Sequence, residues 1–166
     1  MKRLLLLRHA KSSWDDPRLA DFDRPLNERG RRAAPLMGRY LREQEIRPDL
    51  ILCSPAARAR QTAELVAGAA GLAAPLRFDE RIYEATAARL LEVVSQAGEG
   101  AGEILLVGHN PGMEELLELL TSESRRMPTA ALARIRLDTD EWAGLAPRAG
   151  RLERHIKPKE LENSRQ

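Results

Sequence analysis

The chain has 166 residues, of which 43% are hydrophobic and 31% charged, and its formal net charge at pH 7 is +2. These values are typical of one globular domain and exclude a disordered tail or a membrane protein, while the single cysteine, Cys53, excludes an intrachain disulfide. Aromatic residues make up only 4% of the chain and the basic residues are not clustered, so we do not expect a nucleic-acid partner.

The first predicted element is Leu4–Leu7, a continuous apolar run that is typical of a strand buried on both faces. The run ends at Arg8. It is too short for the apolar core of a signal peptide, about 7–15 residues, or for a transmembrane helix of about 20 residues. We therefore expect a cytoplasmic protein that does not bind a membrane.

The middle of the chain alternates buried strands with amphipathic helices. The further buried strands are Asp49–Cys53 and Glu103–Val107, and the helices are Glu28–Gln44, Ala56–Ala70, Thr86–Gln96 and Glu114–Leu120. Pro35 lies inside the first helix and is expected to kink it or to cost it a hydrogen bond. The last helix is expected to begin with Asn110 as its N-cap and Pro111 at its first position.

Two weaker strands follow these elements. Ala131–Leu137 alternates apolar and polar residues and Arg151–Ile156 alternates less cleanly, so both are expected near an edge of the sheet and antiparallel. The alternation of strands and helices predicts an α/β domain with three layers, α/β/α, and a mostly parallel central sheet. We expect this domain to cover residues 1–158, followed by a loose C-terminal tail over residues 159–166.

Unusual residues follow three of the predicted strands, and ligands bind at the carboxyl ends of the strands in sheets of this kind. Arg8 and His9 follow the first strand, Arg58 lies just after the second, and His109 follows the third. Taken singly, the arginines have an alternative as surface charges, His9 as a half-buried side chain and His109 as a helix cap. Their coincidence at three strand ends favours one shared crevice.

Two arginines and two histidines in one pocket suit a phosphoryl group. Arginine holds phosphate oxygens through two parallel hydrogen bonds, and a histidine nitrogen can attack phosphorus and carry the group covalently. The chain has no GxxxxGK[ST] loop, which argues against a P-loop for nucleoside triphosphates. It also lacks carboxylates at metal-ligand spacing, so we expect neither a metal nor an organic cofactor. The third histidine, His155, is assigned no role.

Five segments of the chain together resemble the histidine phosphatase superfamily, and within it the SixA-type phosphohistidine phosphatases. These segments are LLLLRHAKSSW, DFDRPLNERG, SPAARARQTAE, LLVGHNPG and MPTAALARIRLD. The resemblance runs from about Lys2 to Pro158 and implies a phosphoglycerate-mutase-like fold. It implies that His9 is a nucleophile that becomes phosphohistidine and that His109 donates to the phosphoryl group in the transition state. It also implies that Arg8 and Arg58 hold the phosphoryl oxygens.

The resemblance implies weaker roles at other positions. Ser12 falls where the superfamily often has a pocket hydroxyl, and Arg24 either contacts the ligand or braces the pocket through ion pairs. Asn110 is counted with the substrate-binding residues because the helix beginning near it can aim N–H groups at an anion. Ala10 replaces a glycine found in much of the superfamily, which favours the SixA-like subgroup. Glu84 lies about where ester-cleaving members have a general acid, and its alternative is a surface glutamate near a helix start.

We expect a phosphatase that removes a phosphoryl group from phosphohistidine on a protein through a phospho-His9 intermediate. An imidazole leaves more readily than an alkoxide, which requires a placed acid. The chain also has no long insertion that would form a lid over a small metabolite. The expected partner is a phosphotransfer protein of a two-component relay or a sugar-phosphotransferase carrier, with phosphate or another oxyanion in the pocket. The alternatives are a small-molecule phosphomonoesterase or mutase, and a non-catalytic phosphate-binding module.

Overall fold

The computed structural model describes residues 1–98 and 100–164. Its strands are β1 (Lys2–Arg8), β2 (Leu50–Cys53), β3 (Leu76–Phe78), β4 (Glu103–Gly108), β5 (Leu132–Leu137) and β6 (Gly150–Ile156). Its α-helices are α1 (Glu28–Glu43), α2 (Ala57–Ala70), α3 (Ala87–Ser95), α4 (Gly112–Thr121) and α5 (Pro158–Ser164). Within the described residues the strands form one sheet in the order β3-β2-β4-β1-β5-β6.

The sheet is mixed, with its parallel part at the centre. β1 pairs parallel with β4, and β2 pairs parallel with both β4 and β3. β5 and β6 are antiparallel and β6 lies at the edge. The predicted α/β class with a mostly parallel sheet is confirmed, as is the antiparallel placement of the last two strands.

Successive residues of β1 point to opposite faces of the sheet, and both faces are covered. Leu4 and Leu6 belong to a core cluster that includes residues of α3 and α4, whereas Leu5 and Leu7 belong to a second cluster that includes residues of α1 and α2. Burial on both faces explains why this strand is a continuous apolar run. The result is three layers, with helices on both sides of the sheet.

Some expected element boundaries differ from the structure. β3 was not predicted, because it has three residues with largely exposed side chains and gives no periodic signal. Pro35 lies inside α1, which continues through it. α4 begins at Gly112 with Pro111 as its N-cap, one residue later than expected. The expectation that Asn110 caps this helix is wrong, because its side-chain amide donates to Met127 O and Glu114 Oε2 instead.

The expectation of a loose tail is wrong for residues 159–164, which belong to α5. Pro158 takes the first position of this helix, which suits a residue without an N–H, and Leu161 packs against the core cluster beside α1. The Glu160 carboxylate accepts a hydrogen bond from the backbone N–H of Lys157 at 3.2 Å, which satisfies a donor at the helix start. Residues 165 and 166 lie outside the described residues.

The first turn of α1 packs tightly against the segment that follows β1. Asn27 caps the helix by accepting a hydrogen bond from Gly30 N at 2.9 Å, and its own N–H donates to Lys11 O at 2.9 Å. A β-carbon on Gly30 would clash with that same carbonyl oxygen of Lys11. The absence of a side chain therefore allows α1 to lie against the loop that carries His9.

Candidate active site

The carboxyl ends of β1, β4 and β2 lie side by side, because these strands are parallel neighbours in the sheet. His9 follows β1 and His109 follows β4, and their ring centroids are 5.1 Å apart. Arg58 lies in the first turn of α2, after β2, and its Nε is 3.4 Å from His9 Nε2. The structure therefore brings the three strand ends into one site, and all three side chains are at most 9% exposed.

Hydrogen bonding and burial leave the His9 ring with one unprotonated nitrogen, Nε2, which accepts a hydrogen bond of 3.4 Å from Arg58 Nε. His9 Nδ1 lies 2.7 Å from the carbonyl oxygen of Ala10, so Nδ1 carries the hydrogen and donates it. Burial, followed by the nearby His109, Arg58 and Arg8, lowers the pKa of His9 to about 3, although the bond to Ala10 opposes this shift. The ring is therefore neutral at pH 7, with the lone pair of Nε2 directed at the Arg58 side.

The second histidine is held by a hydroxyl group. His109 Nε2 lies 2.8 Å from Ser54 Oγ, whereas His109 Nδ1 is buried and has no hydrogen-bond partner among the described residues. Burial, followed by the positive charge of Arg58, lowers the pKa of His109 to about 4. When the Ser54 hydroxyl donates to Nε2, the neutral ring carries its hydrogen on Nδ1, which is then an unpaired donor.

Arg8 supplies a second buried donor. Its Nη1 donates to Met127 O at 3.2 Å, while its Nε is buried without a hydrogen-bond partner in the part of the chain that the structure describes. Burial lowers its pKa, but an arginine stays charged at pH 7. Its positive charge also contributes to lowering the pKa of His9 and that of His109.

Asp21 links three polar side chains at the site, and sequence analysis did not identify it. It lies on a short 3₁₀ turn, Asp21–Asp23, and accepts hydrogen bonds from Arg58 Nη2 at 3.0 Å, Arg24 Nη1 at 3.0 Å and Tyr83 OH at 2.6 Å. The Tyr83 hydroxyl and Arg58 hold the pKa of this carboxyl below its usual range. A carboxylate of the protein itself therefore contacts the guanidinium groups of Arg24 and Arg58.

The guanidinium group of Arg24 is held by its own segment of the chain. Its Nη2 donates to Ser12 Oγ and its Nε donates to Ser13 O at 3.1 Å. Its Cζ lies 3.2 Å from the ring centroid of Trp14, as in a cation–π contact. Together with the ion pair to Asp21, these contacts favour a structural role for Arg24 over direct contact with a ligand. The Ser12 hydroxyl is hydrogen-bonded to Arg24.

The remaining candidates lie at the margin of the site. Asn110 donates its amide hydrogens to Met127 O and Glu114 Oε2. Its Oδ1 is buried and has no hydrogen-bond partner among the described residues. Glu84 is exposed, with φ +54°, and directly follows Tyr83. The Tyr83 ring packs edge-on against His109 with 5.4 Å between the centroids. Tyr83 and Ser54 were missed because their roles depend on contacts between distant elements.

The described residues contain no group of three or more His, Cys, Asp or Glu side chains placed to hold a metal ion. In the same residues, no helix is long and apolar enough to span a membrane.

Comparisons with known proteins agree with the geometry. A sequence model of the histidine phosphatase superfamily (branch 1) matches residues 4–89. An uncharacterized protein of Mycobacterium tuberculosis is 37% identical over 152 residues, which cover 85% of this chain and 92% of that protein. The phosphohistidine phosphatase SixA of Escherichia coli is 29% identical over 140 residues, covering 82% and 86%. The crystal structure of a protein assigned as a SixA phosphohistidine phosphatase from Agrobacterium tumefaciens has a TM-score of 0.81 and 33% identity, covering 95% and 98%.

Proposed function

The chain belongs to the histidine phosphatase superfamily and is a phosphatase of that type, and we propose that its substrate is a phosphohistidine carried by another protein. The observation that supports this most is a neutral nucleophile that shares its site with buried, unpaired donors. His9 presents an unprotonated Nε2, while Arg8 Nε and His109 Nδ1 are buried without hydrogen-bond partners among the described residues. A phosphoryl group would satisfy both donors. The likeness to SixA-type proteins supports the same substrate class.

In the first step, the lone pair of His9 Nε2 attacks the substrate phosphorus. A P–N bond to His9 forms as the P–N bond to the substrate imidazole breaks, and the leaving imidazole takes up a proton from solvent. Arg8 and Arg58 balance the charge on the equatorial oxygens, and His109 Nδ1–H donates to one of them. The 3.4 Å contact between Arg58 Nε and His9 Nε2 places a donor beside the point of attack.

In the second step, water attacks the phosphorus of phospho-His9. The P–N bond to His9 breaks, its electron pair returns to Nε2, and the proton lost by the water passes to the solvent or to the product phosphate. The bond from His9 Nδ1 to Ala10 O keeps the same tautomer through both steps, because Nδ1 keeps its hydrogen. No metal or organic cofactor takes part in this scheme.

The surface around the site supports a protein as the carrier of the phosphohistidine. Trp14 is 75% exposed, Leu19 39% and Phe22 38%, and all three lie on the segment between His9 and α1. The Phe22 ring packs against Tyr83, which in turn contacts His109. Exposed apolar side chains that are grouped beside an active site are typical of a protein-binding surface. A phosphotransfer or carrier protein in the cytoplasm would be such a partner.

One observation favours a second candidate, a phosphatase of small phosphate esters. An ester needs an acid to protonate its leaving oxygen, and Glu84 lies next to Tyr83 at the margin of the site. Under this alternative a sugar phosphate is turned over rapidly and Glu84→Gln abolishes that turnover. Under the phosphohistidine proposal, turnover of the sugar phosphate is slow in the unchanged protein.

The test compares phosphate release from a phosphohistidine-bearing carrier protein and from a sugar phosphate, using the unchanged protein and His9→Ala. We expect fast release from the carrier protein, slow release from the ester, and loss of both in the variant. Fast release from the ester alone would favour the second candidate. Full activity of His9→Ala in a clean preparation would contradict the proposed mechanism.

A further inference from the structure

We propose that a cationic groove beside the active site binds an acidic segment of the protein that carries the phosphohistidine, an inference that rests on the proposed function. The groove joins two cavities of about 480 and 530 Å³ that share Pro128 and Lys157. Its cationic side chains, which define the groove, are Arg8, Lys11, Arg29, Arg32, Arg126, Lys157 and Lys159.

The groove starts at the nucleophile loop. Arg8 and Lys11 lie on either side of His9 in the chain, and each lines one of the two cavities. The backbone N–H of Ala130 lies 3.1 Å from Arg8 O and 3.0 Å from His9 O, which ties the loop containing Pro128 to the same stretch. A peptide segment bound in the groove would therefore lead towards the His9 ring.

Two features of the fold place the other cations here. The missing side chain of Gly30 lets the first turn of α1 lie against Lys11, which puts Arg29 and Arg32 beside the groove. The packing of Leu161 against the core holds α5 on the domain, and Lys157 and Lys159, at the start of this helix, line the same cavity. The cations thus come from four separate parts of the sequence, and their convergence is a property of the folded chain.

The charges of the groove are poorly balanced by its own acids. Among its described lining residues, seven cations face two carboxylates, Glu114 and Glu162, although the whole chain has a net charge of only +2. Glu114 is occupied by the backbone N–H of Met127 at 2.6 Å. Within the described residues, Arg32 is the only one of the seven cations in an ion pair, with Glu28 at 3.1 Å.

An acidic peptide segment fits these features better than a nucleic acid. Single-stranded nucleic acids bind on surfaces that combine cations with aromatic rings on which the bases stack. The described lining residues of the two cavities include no aromatic side chain. Carboxylates need only the cations, and a charged surface beside an active site raises the rate of encounter with a partner of opposite charge.

The first test is a binding titration of a fluorescent eight-residue peptide rich in Asp and Glu, followed by anisotropy. The variant Arg29→Gln/Arg32→Gln removes two groove charges. The matched control, Arg39→Gln/Arg42→Gln, changes two exposed arginines with the same spacing on α1, about 15 Å further along the helix. We expect Kd to rise about fivefold in the groove variant and to change less than twofold in the control.

Two results of this titration would overturn the proposal. One is equal binding of the peptide by the groove variant and the control. The other is that a single-stranded oligonucleotide of equal charge binds more tightly than the peptide. This result counts against the proposal if the oligonucleotide no longer binds to Arg29→Gln/Arg32→Gln. Weaker binding of the peptide at higher salt is expected, because exposed charges are screened.

The second test measures kcat/KM for two phosphohistidine peptides that differ only in their flanks, one acidic and one with the corresponding amides. We expect the unchanged protein to favour the acidic peptide about fivefold, the groove variant to lose this preference and the control to keep it. Equal hydrolysis of both peptides by the unchanged protein overturns the groove and leaves the proposed function standing. Hydrolysis of neither contradicts the proposed function, and the binding titration then decides only whether the groove binds an acidic segment.

Discussion

The carboxylate of Asp21 accepts a hydrogen bond from the Arg58 guanidinium, with 3.0 Å between Oδ2 and Nη2. The same guanidinium lies 3.4 Å from His9 Nε2 through its Nε. An internal anion therefore contacts the arginine that we assign to the phosphoryl group. When an oxyanion binds, it competes with this carboxylate for the same positive charge. The affinity of the site for an oxyanion thus depends on how much more strongly Arg58 binds the oxyanion than it binds the Asp21 carboxylate.

Neutralising Asp21 should make the site bind oxyanions more tightly. We expect Asp21→Asn to lower the inhibition constant of orthovanadate about tenfold, equivalent to about 1.4 kcal/mol, because Arg58 and Arg24 lose their internal counterion. The matched control is Asp23→Asn, an exposed residue on the same 3₁₀ turn, for which we expect less than a twofold change. Weaker inhibition by vanadate in Asp21→Asn would show that Asp21 orients the arginines instead of competing for them.

The hydroxyl of Ser54 should set the tautomer of His109. In Ser54→Ala the Nε2 of His109 loses its partner at 2.8 Å, so the ring hydrogen is free to move from Nδ1 to Nε2. We expect kcat to fall about tenfold with little change in KM, because the lost donor acts on the transition state. Nitrogen NMR of the ring reports the tautomer directly. An unchanged tautomer with a reduced kcat would contradict this role.

Buried His9 should make stability depend on pH in a defined direction. The unfolded chain binds a proton at His9 below about pH 6.5, whereas the folded protein does so only near a pKa of about 3, so stability falls as the pH falls through this range. Between pH 8 and pH 5 we expect the unchanged protein to lose about 2 kcal/mol more than His9→Gln. Urea unfolding measures both, and pH 8 serves as the reference where neither form is protonated. Parallel curves would exclude a neutral buried His9.

Two glycine substitutions should have opposite effects on stability. Gly30→Ala places a β-carbon against Lys11 O and should cost about 1–3 kcal/mol, because the backbone there must move. Gly68→Ala, in α2, meets no atom within 4 Å and should stabilise the protein by about 0.5–1 kcal/mol, since alanine is the better helix former. Thermal unfolding of the two variants tests the pair. Equal effects would mean that α1 does not depend on the close approach at Gly30.

Much of the fold could be predicted from the sequence, because its central elements give strong periodic signals. Leu4–Leu7 has the pattern of a strand buried on both faces. The alternation in Ala131–Leu137 matches β5, where Arg134 and Arg136 are less buried than the apolar residues beside them. β3 has only three residues, too few for a pattern. α5 was missed because its packing on the core involves Leu161, a partly buried side chain whose contact requires the rest of the domain to be in place.

The main site residues could be predicted because each follows a strand, where a parallel sheet places its ligand. This argument applies to Arg8, His9, Arg58 and His109. It does not apply to Asp21, which lies on a short 3₁₀ turn and is held by Arg24, three residues away, and by Arg58 and Tyr83 from two other parts of the chain. The roles of Glu84 and Ser12 rest on likeness to the family, and that of Asn110 rests on the helix that begins near it. These roles stay predictions, as do the catalytic roles assigned to the strand-end residues.

The account depends most directly on a covalent phosphate on His9. We would mix the protein with a phosphohistidine-bearing carrier protein labelled with ³²P, quench within milliseconds under alkaline conditions, and map the label by peptide digestion. We expect an acid-labile, alkali-stable phosphate on the peptide that contains His9, formed and lost at the rate of turnover and absent from His9→Ala. Turnover of the carrier protein without a labelled His9 peptide, or with the label on another residue, would contradict the account.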